Sequence, residues 1–206
     1  MKKLLAGLLL TGSCLTGFSQ EKGKFEFGIN AGYNLATATS GTKTNSSYRS
    51  GIAIGAFGDY FIANDWSIKV KLTYDQKGWD KGFILNTNNG QSYVTNYRMD
   101  YLSIPVMASW HFGRKRNWYL HGGPYVGVLL NSNETTFNED LKEYTNSTDV
   151  GLDVGIGVKI PIGKKAKILF ELDGQSGFTN VFNNNTQSTD AKHSRTSFNT
   201  GLVFDL

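Results

Sequence analysis

Along most of the chain, apolar and polar residues alternate one by one. At the C-terminus, Phe198, Thr200, Leu202, Phe204 and Leu206 share one parity, and Ser197, Asn199, Gly201, Val203 and Asp205 the other. A period of two places successive side chains on opposite faces of a strand. The same alternation sets Trp66, Ile68, Val70, Leu72 and Tyr74 against Ser67, Lys69, Lys71, Thr73 and Asp75. It also sets Val150, Leu152, Val154, Ile156, Val158, Ile160 and Ile162 against Gly151, Asp153, Gly155, Gly157, Lys159 and Pro161. We read eight strands, at about 24–36, 51–62, 66–76, 97–112, 118–130, 150–162, 166–176 and 195–206. Each is near or above the roughly 10 residues that a tilted membrane strand needs. The segments 63–65, 113–117 and 163–165 are short turns, whereas 37–50, 77–96, 131–149 and 177–194 are long and polar. This rhythm predicts an all-β fold: an eight-stranded antiparallel up-and-down transmembrane β-barrel with short periplasmic turns and long outer loops. A terminal strand that alternates to its last residue suits closure, because a barrel's last strand pairs with its first and leaves no edge.

In such a barrel the apolar set faces lipid and the polar set faces the interior. A soluble barrel would alternate too, with the apolar set inside. The membrane reading is preferred because the apolar set is large and unbroken, while charges alternate with glycines on the other face. Centring the turns on Asn64 and Lys164 pairs Tyr60 with Ile68, Ala56 with Leu72, Val158 with Phe170 and Ile156 with Leu172 on the lipid side. It also sets Asp59 opposite Lys69 and Lys159 diagonal to Glu171, so faces and register agree. We therefore expect an internal ion-pair network of Asp59, Lys69, Lys71, Asp153, Lys159, Glu171 and Asp173, including Asp59–Lys69 and Lys159–Glu171 pairs. A narrow pore lined by these charges is the rival reading. Eight strands leave an interior just wide enough for side chains to fill, which favours a plugged lumen. Aromatic residues near strand ends, among them Phe25, Phe27, Tyr33, Tyr60, Trp66, Tyr74, Trp110, Phe112 and Trp118, read as interfacial girdles. Pro105, Pro124 and Pro161 fall within strands, where the missing N–H breaks a ladder. Pro105 and Pro124 come out as neighbours, and we expect one shared irregularity beside Gly122 and Gly123.

Residues 1–20 read as a secretory signal: Lys2 and Lys3, then the apolar run from Leu4 to Leu10, then small residues before Gln20. Export followed by cleavage would leave 21–206 as the barrel domain. The one cysteine, Cys14, lies in this segment. Its lipobox reading is weak because Thr11 stands where lipoproteins usually carry leucine, and loss of Cys14 with the signal would exclude disulfides and thiolate metal sites. The formal charge of +4 is scattered, with no basic helix or RNA-binding motif, so no nucleic-acid partner is expected. The histidines are His111, His121 and His193. They show no zinc-ligand spacing and no glycine-rich phosphate loop is present, so we expect no metal, no cofactor and no catalytic residue. Asp190, His193 and Ser194 contain the residue types of an outer-membrane lipid-modifying enzyme, a reading that requires His193 within hydrogen-bond reach of Asp190 or Ser194.

Tyr101-Leu102-Ser103-Ile104-Pro105, followed by Gly123-Pro124-Tyr125-Val126-Gly127, resembles the PorT-type outer-membrane β-barrel family of Bacteroidota, porin-family barrels of the OmpA-like, eight-stranded kind. The matching positions are Tyr101, Leu102, Ile104, Pro105, Gly123, Tyr125 and Gly127. The Phe18-Ser19-Gln20 end of the signal is similar to signals of that phylum. The resemblance implies an outer-membrane location, makes Pro105 a family feature, and carries an association with type IX protein secretion. Phe198, Leu202, Phe204 and Leu206 would form the insertion strand read by the barrel-assembly machinery, with Leu206 where such strands usually end in Phe. The expected product is a monomeric, non-enzymatic barrel in outer-membrane lipid, with a structural or surface-interaction role. A secretion-system partner, a narrow channel and a lipid-modifying enzyme are the alternatives.

Overall fold

Eight antiparallel strands close into one ring in chain order, β1 pairing with β8. The computed structural model describes residues 22–40, 46–86, 89–183 and 190–206. The expected signal segment and Cys14 lie outside the described residues. The strands are β1 (Phe25–Ser40), β2 (Arg49–Phe61), β3 (Trp66–Asn86), β4 (Gln91–Phe112), β5 (Trp118–Glu134), β6 (Thr148–Pro161), β7 (Ala166–Gly177) and β8 (Ala191–Asp205). Among the described residues one 3₁₀ turn, Lys142–Tyr144, lies in the β5–β6 loop. No helix among the described residues is long and apolar enough to cross a membrane.

The alternation resolves into the two faces read from the sequence. On β6, Val154 is 58% exposed, while Asp153 and Lys159 are 1% and 0% exposed. Ile29, Ile54, Leu72, Val126 and Phe198 continue the outward apolar wall. The register pairs Tyr60 with Ile68, Ala56 with Leu72, Val158 with Phe170 and Ile156 with Leu172, as expected. Trp66 stands opposite Trp110, and Phe112 opposite Trp118, in an aromatic belt at the short-turn end.

Large interior rings fit over glycines on the next strand. Phe57 pairs with Gly28, Tyr119 with Gly157 and Tyr125 with Gly151. A Cβ on Gly157 would stand 2.3 Å from the Tyr119 hydroxyl, and one on Gly151 would stand 2.7 Å from the Tyr125 ring. The alternating glycines are therefore the recesses that let aromatic rings fill a narrow interior.

Pro105 and Pro124 do interrupt the β4–β5 ladder, whereas Pro161 keeps its register partner Lys167. Pro105 pairs with Tyr125, but pairing then lapses at Val106 and Met107 and resumes at Ala108–Gly122. Toward β3 it lapses at Ile104 and Pro105, between the Val70–Val106 and Thr73–Ser103 pairs. Gly123 lies in the first gap, where a Cβ would stand 2.0 Å from the Val106 carbonyl oxygen and 2.9 Å from the Met107 Cα. Both obstacles are backbone and cannot rotate away. Gly123→Ala is expected to destabilise the barrel by about 1–3 kcal/mol, the usual cost of overpacking, read as an earlier midpoint in urea unfolding.

The largest departure is the β3–β4 hairpin. The sequence reading makes 77–96 a loop, yet β3 runs to Asn86 and β4 starts at Gln91. A bulge between Trp79 and Gly82 shifts the register, with Gly78 at φ 118° and Lys81 at φ 58°. The extra residues move the inward positions from odd to even, so the period-two signal vanishes where the strand continues.

Candidate functional site

The interior of the barrel is the site to which the sequence assigns chemistry, and its side chains stack in layers from the turn end to the loop end. At the turn end, Lys159 Nζ donates to Glu26 and Asp59, each at 2.6 Å. Lys167 bonds Glu26 and reaches Asp205 at 2.9 Å, and Asp205 also takes Lys24 at 3.0 Å. In the next layer Lys69 pairs with Glu171, which also accepts from the Tyr119 hydroxyl. Lys71 joins Glu171 and Asp173, each at 2.6 Å. Above it, Arg195 lies 3.2 Å from Asp75 and 3.9 Å from Asp153. Asn34 donates to Asp75 at 2.6 Å, and Gln175 to Asp153 at 2.8 Å. Higher still, Asp149 accepts from Lys77 and Tyr125, both at 2.9 Å.

The structure thus places Asp59, Lys69, Lys71, Asp153, Lys159, Glu171 and Asp173 inside, all buried, but the two expected pairings are corrected. Asp59 and Lys69 are register partners, yet Lys159 takes Asp59 and Lys69 takes Glu171. The reason is geometric: interior side chains point toward the axis, so ends meet across the ring, β2 with β6 and β3 with β7, rather than along the wall. Glu26, Lys77, Asp149, Lys167 and Arg195 belong to the same network and escaped the reading of single hairpins. For Glu26, Lys167 and Arg195 the signal was parity within the strands as read; Lys77 and Asp149 fell one residue beyond strand ends, in stretches read as loops.

The motif residues divide between the faces. Tyr101, Pro105 and Tyr125 point inward, Ile104 points outward, and Leu102 is half-buried on the outward parity. Gly127 lies beside the Tyr101 ring, where a Cβ would stand 3.4 Å away. Gly123 occupies the lapse in the ladder. On β8, Phe198, Leu202 and Phe204 face outward, and Leu206 follows the strand, its N–H bonding the Phe25 carbonyl at 3.0 Å.

At the loop end the interior turns apolar. Trp79, Tyr97, Met99, Leu129 and Ala191 pack with Leu141 from the β5–β6 loop and Val181 from the β7–β8 loop. Phe182 adds edge contacts to Trp79 and Tyr97. Two outer loops therefore fold over the mouth. The β5–β6 loop is fixed by Glu134, whose carboxylate accepts from the Thr95 hydroxyl and from the backbone N–H groups of Thr136, Phe137 and Glu139. Burial pushes the Glu134 carboxyl up, but these donors outweigh it and hold the group below its ordinary value.

His193 does not assemble with Asp190 and Ser194. It points inward, 3.2 Å from the Tyr101 hydroxyl, while Ser194 follows it on the strand and so takes the opposite face. Asp190 accepts from Asn180 at 2.9 Å. The His193 contact with Asp190 or Ser194 that the lipid-modifying reading requires is not formed.

A closed ring with a greasy outer wall and a charged interior defines a transmembrane β-barrel. The family described as "Outer membrane protein beta-barrel domain" matches residues 18–183, and the chain belongs to that family; the protein is an outer-membrane barrel. No curated protein matches it in sequence. Among solved structures it is similar to OprG of Pseudomonas aeruginosa, at 12% identity and TM-score 0.56, over 91% of this chain and 98% of that one. It is also similar to Neisserial surface protein A, at 15% identity and TM-score 0.53, over 87% and 96%. Outer Membrane Protein W of E. coli aligns at 14% identity and TM-score 0.51, over 90% and 99%. At these identities the likeness is one of fold.

Proposed function

We propose that the protein is a monomeric, non-enzymatic outer-membrane barrel that presents its outer loops to other molecules while its lumen stays closed to permeation. The observation that carries this reading is the continuity of the interior. Ion pairs fill it from Lys167 and Glu26 upward, and Trp79, Leu141 and Val181 pack across the top. An eight-stranded ring has little room beyond its own side chains. Planar bilayers holding the purified barrel are expected to stay electrically silent; reproducible single-channel steps would overturn the closed lumen. Residues 1–20 act in this reading as the cleaved export signal, and the N-terminal sequence of protein taken from the outer-membrane fraction tests that.

Within the family, the Tyr101–Pro105 and Gly123–Gly127 motifs support a PorT-type assignment, and with it a second reading as an accessory factor in type IX-type secretion. Deletion of the chain from its host, with secreted cargo measured in the medium, separates the two. Unchanged secretion leaves the surface role, and lost secretion favours the second.

A further inference from the structure

Strands β5, β6 and β7 bring His121, Asp153 and Asp173 to one spot inside the ring. His121 Nε2 lies 3.0 Å from Asp173 Oδ1 and 3.9 Å from Asp153 Oδ1. One donor atom from each residue falls within 4.8 Å of the others. The carboxylates are held from behind. Asp173 Oδ2 accepts from Lys71 at 2.6 Å and Asn199 at 3.0 Å, and Asp153 Oδ2 accepts from Gln175 at 2.8 Å. Each therefore turns its Oδ1 toward the imidazole. Asp153 Oδ1 is buried with no hydrogen-bond partner among the described residues. Gly155 leaves the meeting point clear, since a Cβ there would stand 2.4 Å from His121 Nε2 and 2.7 Å from Asp173 Oδ1. Behind the ring, His121 Nδ1 faces Glu171 Oε2 at 3.6 Å.

We propose that His121 Nε2, Asp153 Oδ1 and Asp173 Oδ1 form a binding site for a divalent first-row transition cation of the zinc type, joining three adjacent strands from within. One nitrogen and two carboxylate oxygens are a donor set such ions accept. Donors at about 2.0–2.2 Å from one ion stand roughly 2.9–3.6 Å apart. The His121–Asp173 spacing already falls there, Asp153 needs to come a few tenths of an ångström closer to His121 Nε2, and at most 4.8 Å separates the two aspartate donors. Glu171 Oε2 lies 3.6 Å from the other ring nitrogen, beyond hydrogen-bond reach, and a small shift of the ring would let it orient a metal-bound histidine. Across the two adjoining layers, Asp75, Asp153, Glu171 and Asp173 face Lys69, Lys71 and Arg195, an excess of one carboxylate. A cation between Asp153 and Asp173 relieves the repulsion of their inner oxygens.

The test is to refold the purified barrel in detergent with and without zinc chloride, dialyse exhaustively, and count retained metal by atomic absorption. About one zinc per barrel is expected. Asp153→Asn and His121→Gln should each weaken retention at least tenfold while keeping the heat-modifiable mobility of the folded barrel. No retained zinc overturns the site, as does retention unchanged in both variants, which would mark adventitious binding elsewhere. Should a variant fail to fold, ¹⁵N NMR of labelled histidines in the unaltered protein decides: zinc must move the His121 Nε2 resonance, and an imidazolium indifferent to zinc refutes the proposal.

Discussion

Glu171→Ala is expected to cost the barrel about 3–5 kcal/mol, the usual effect of breaking a buried ion pair by removing one partner. Glu171 holds three groups at once: Lys69, Lys71 and the Tyr119 hydroxyl. Lys71 keeps Asp173, but Lys69 would keep the Tyr119 hydroxyl at 3.2 Å, the faces of Phe57 and Tyr119, and the attraction of Asp59, which is itself paired with Lys159. In the closed lumen proposed above, that ammonium cannot fall back on water. The measurement is the urea midpoint for loss of the compact, heat-modifiable gel band. Pairing Lys69→Met with Glu171→Leu should recover most of the loss, because both charges then leave together and Lys71 retains its aspartate. An unchanged midpoint in Glu171→Ala would mean that the interior is wet enough to solvate Lys69.

The second large effect is on the opposite face. Val154→Arg should cost about 2–4 kcal/mol, the penalty for a cation on the lipid side near the bilayer midplane. Val154 is an outward residue four positions before Val158, which pairs with Trp118 of the aromatic belt. Four residues of tilted strand raise it about 10 Å above that belt, toward the middle of an apolar band about 25 Å tall. Ile162→Arg, outward too but at the turn end of the strand, should cost about 0–1 kcal/mol because its guanidinium reaches the head groups. Equal losses at both sites would show that the wall is not graded by bilayer depth. The yield of folded protein in lipid vesicles across a urea series reads both.

The sequence made the ring legible because alternation and loop rhythm report the same geometry. Strands β6 and β7 came out within one or two residues of their observed ends, since a turn as short as 163–165 leaves one register that keeps both faces consistent. The β3–β4 extension was hidden by the bulge at Trp79–Gly82, where parity changes sign. Most of the membership of the ion network was legible from parity, but its partners were not. Hairpin register names neighbours along the wall, whereas Lys159 meets Glu26 and Asp59 across a closed ring. The cap of Leu141 and Val181 over Trp79 had no signal, because both lie in polar stretches where single apolar residues carry no period. His121, Asp153 and Asp173 were invisible as a group for a related reason: no short motif links one residue from each of three strands.

Spin labels placed one at a time along 150–162, in a Cys14→Ser background, read the orientation of the wall most directly. Collision with oxygen, which concentrates in the bilayer, should peak at 152, 154, 156 and 158 and fall at 153 and 159 in vesicles. The opposite phase, with 153 and 159 open to oxygen and 154 and 156 shielded, would put the charges on the outside and contradict the barrel described above.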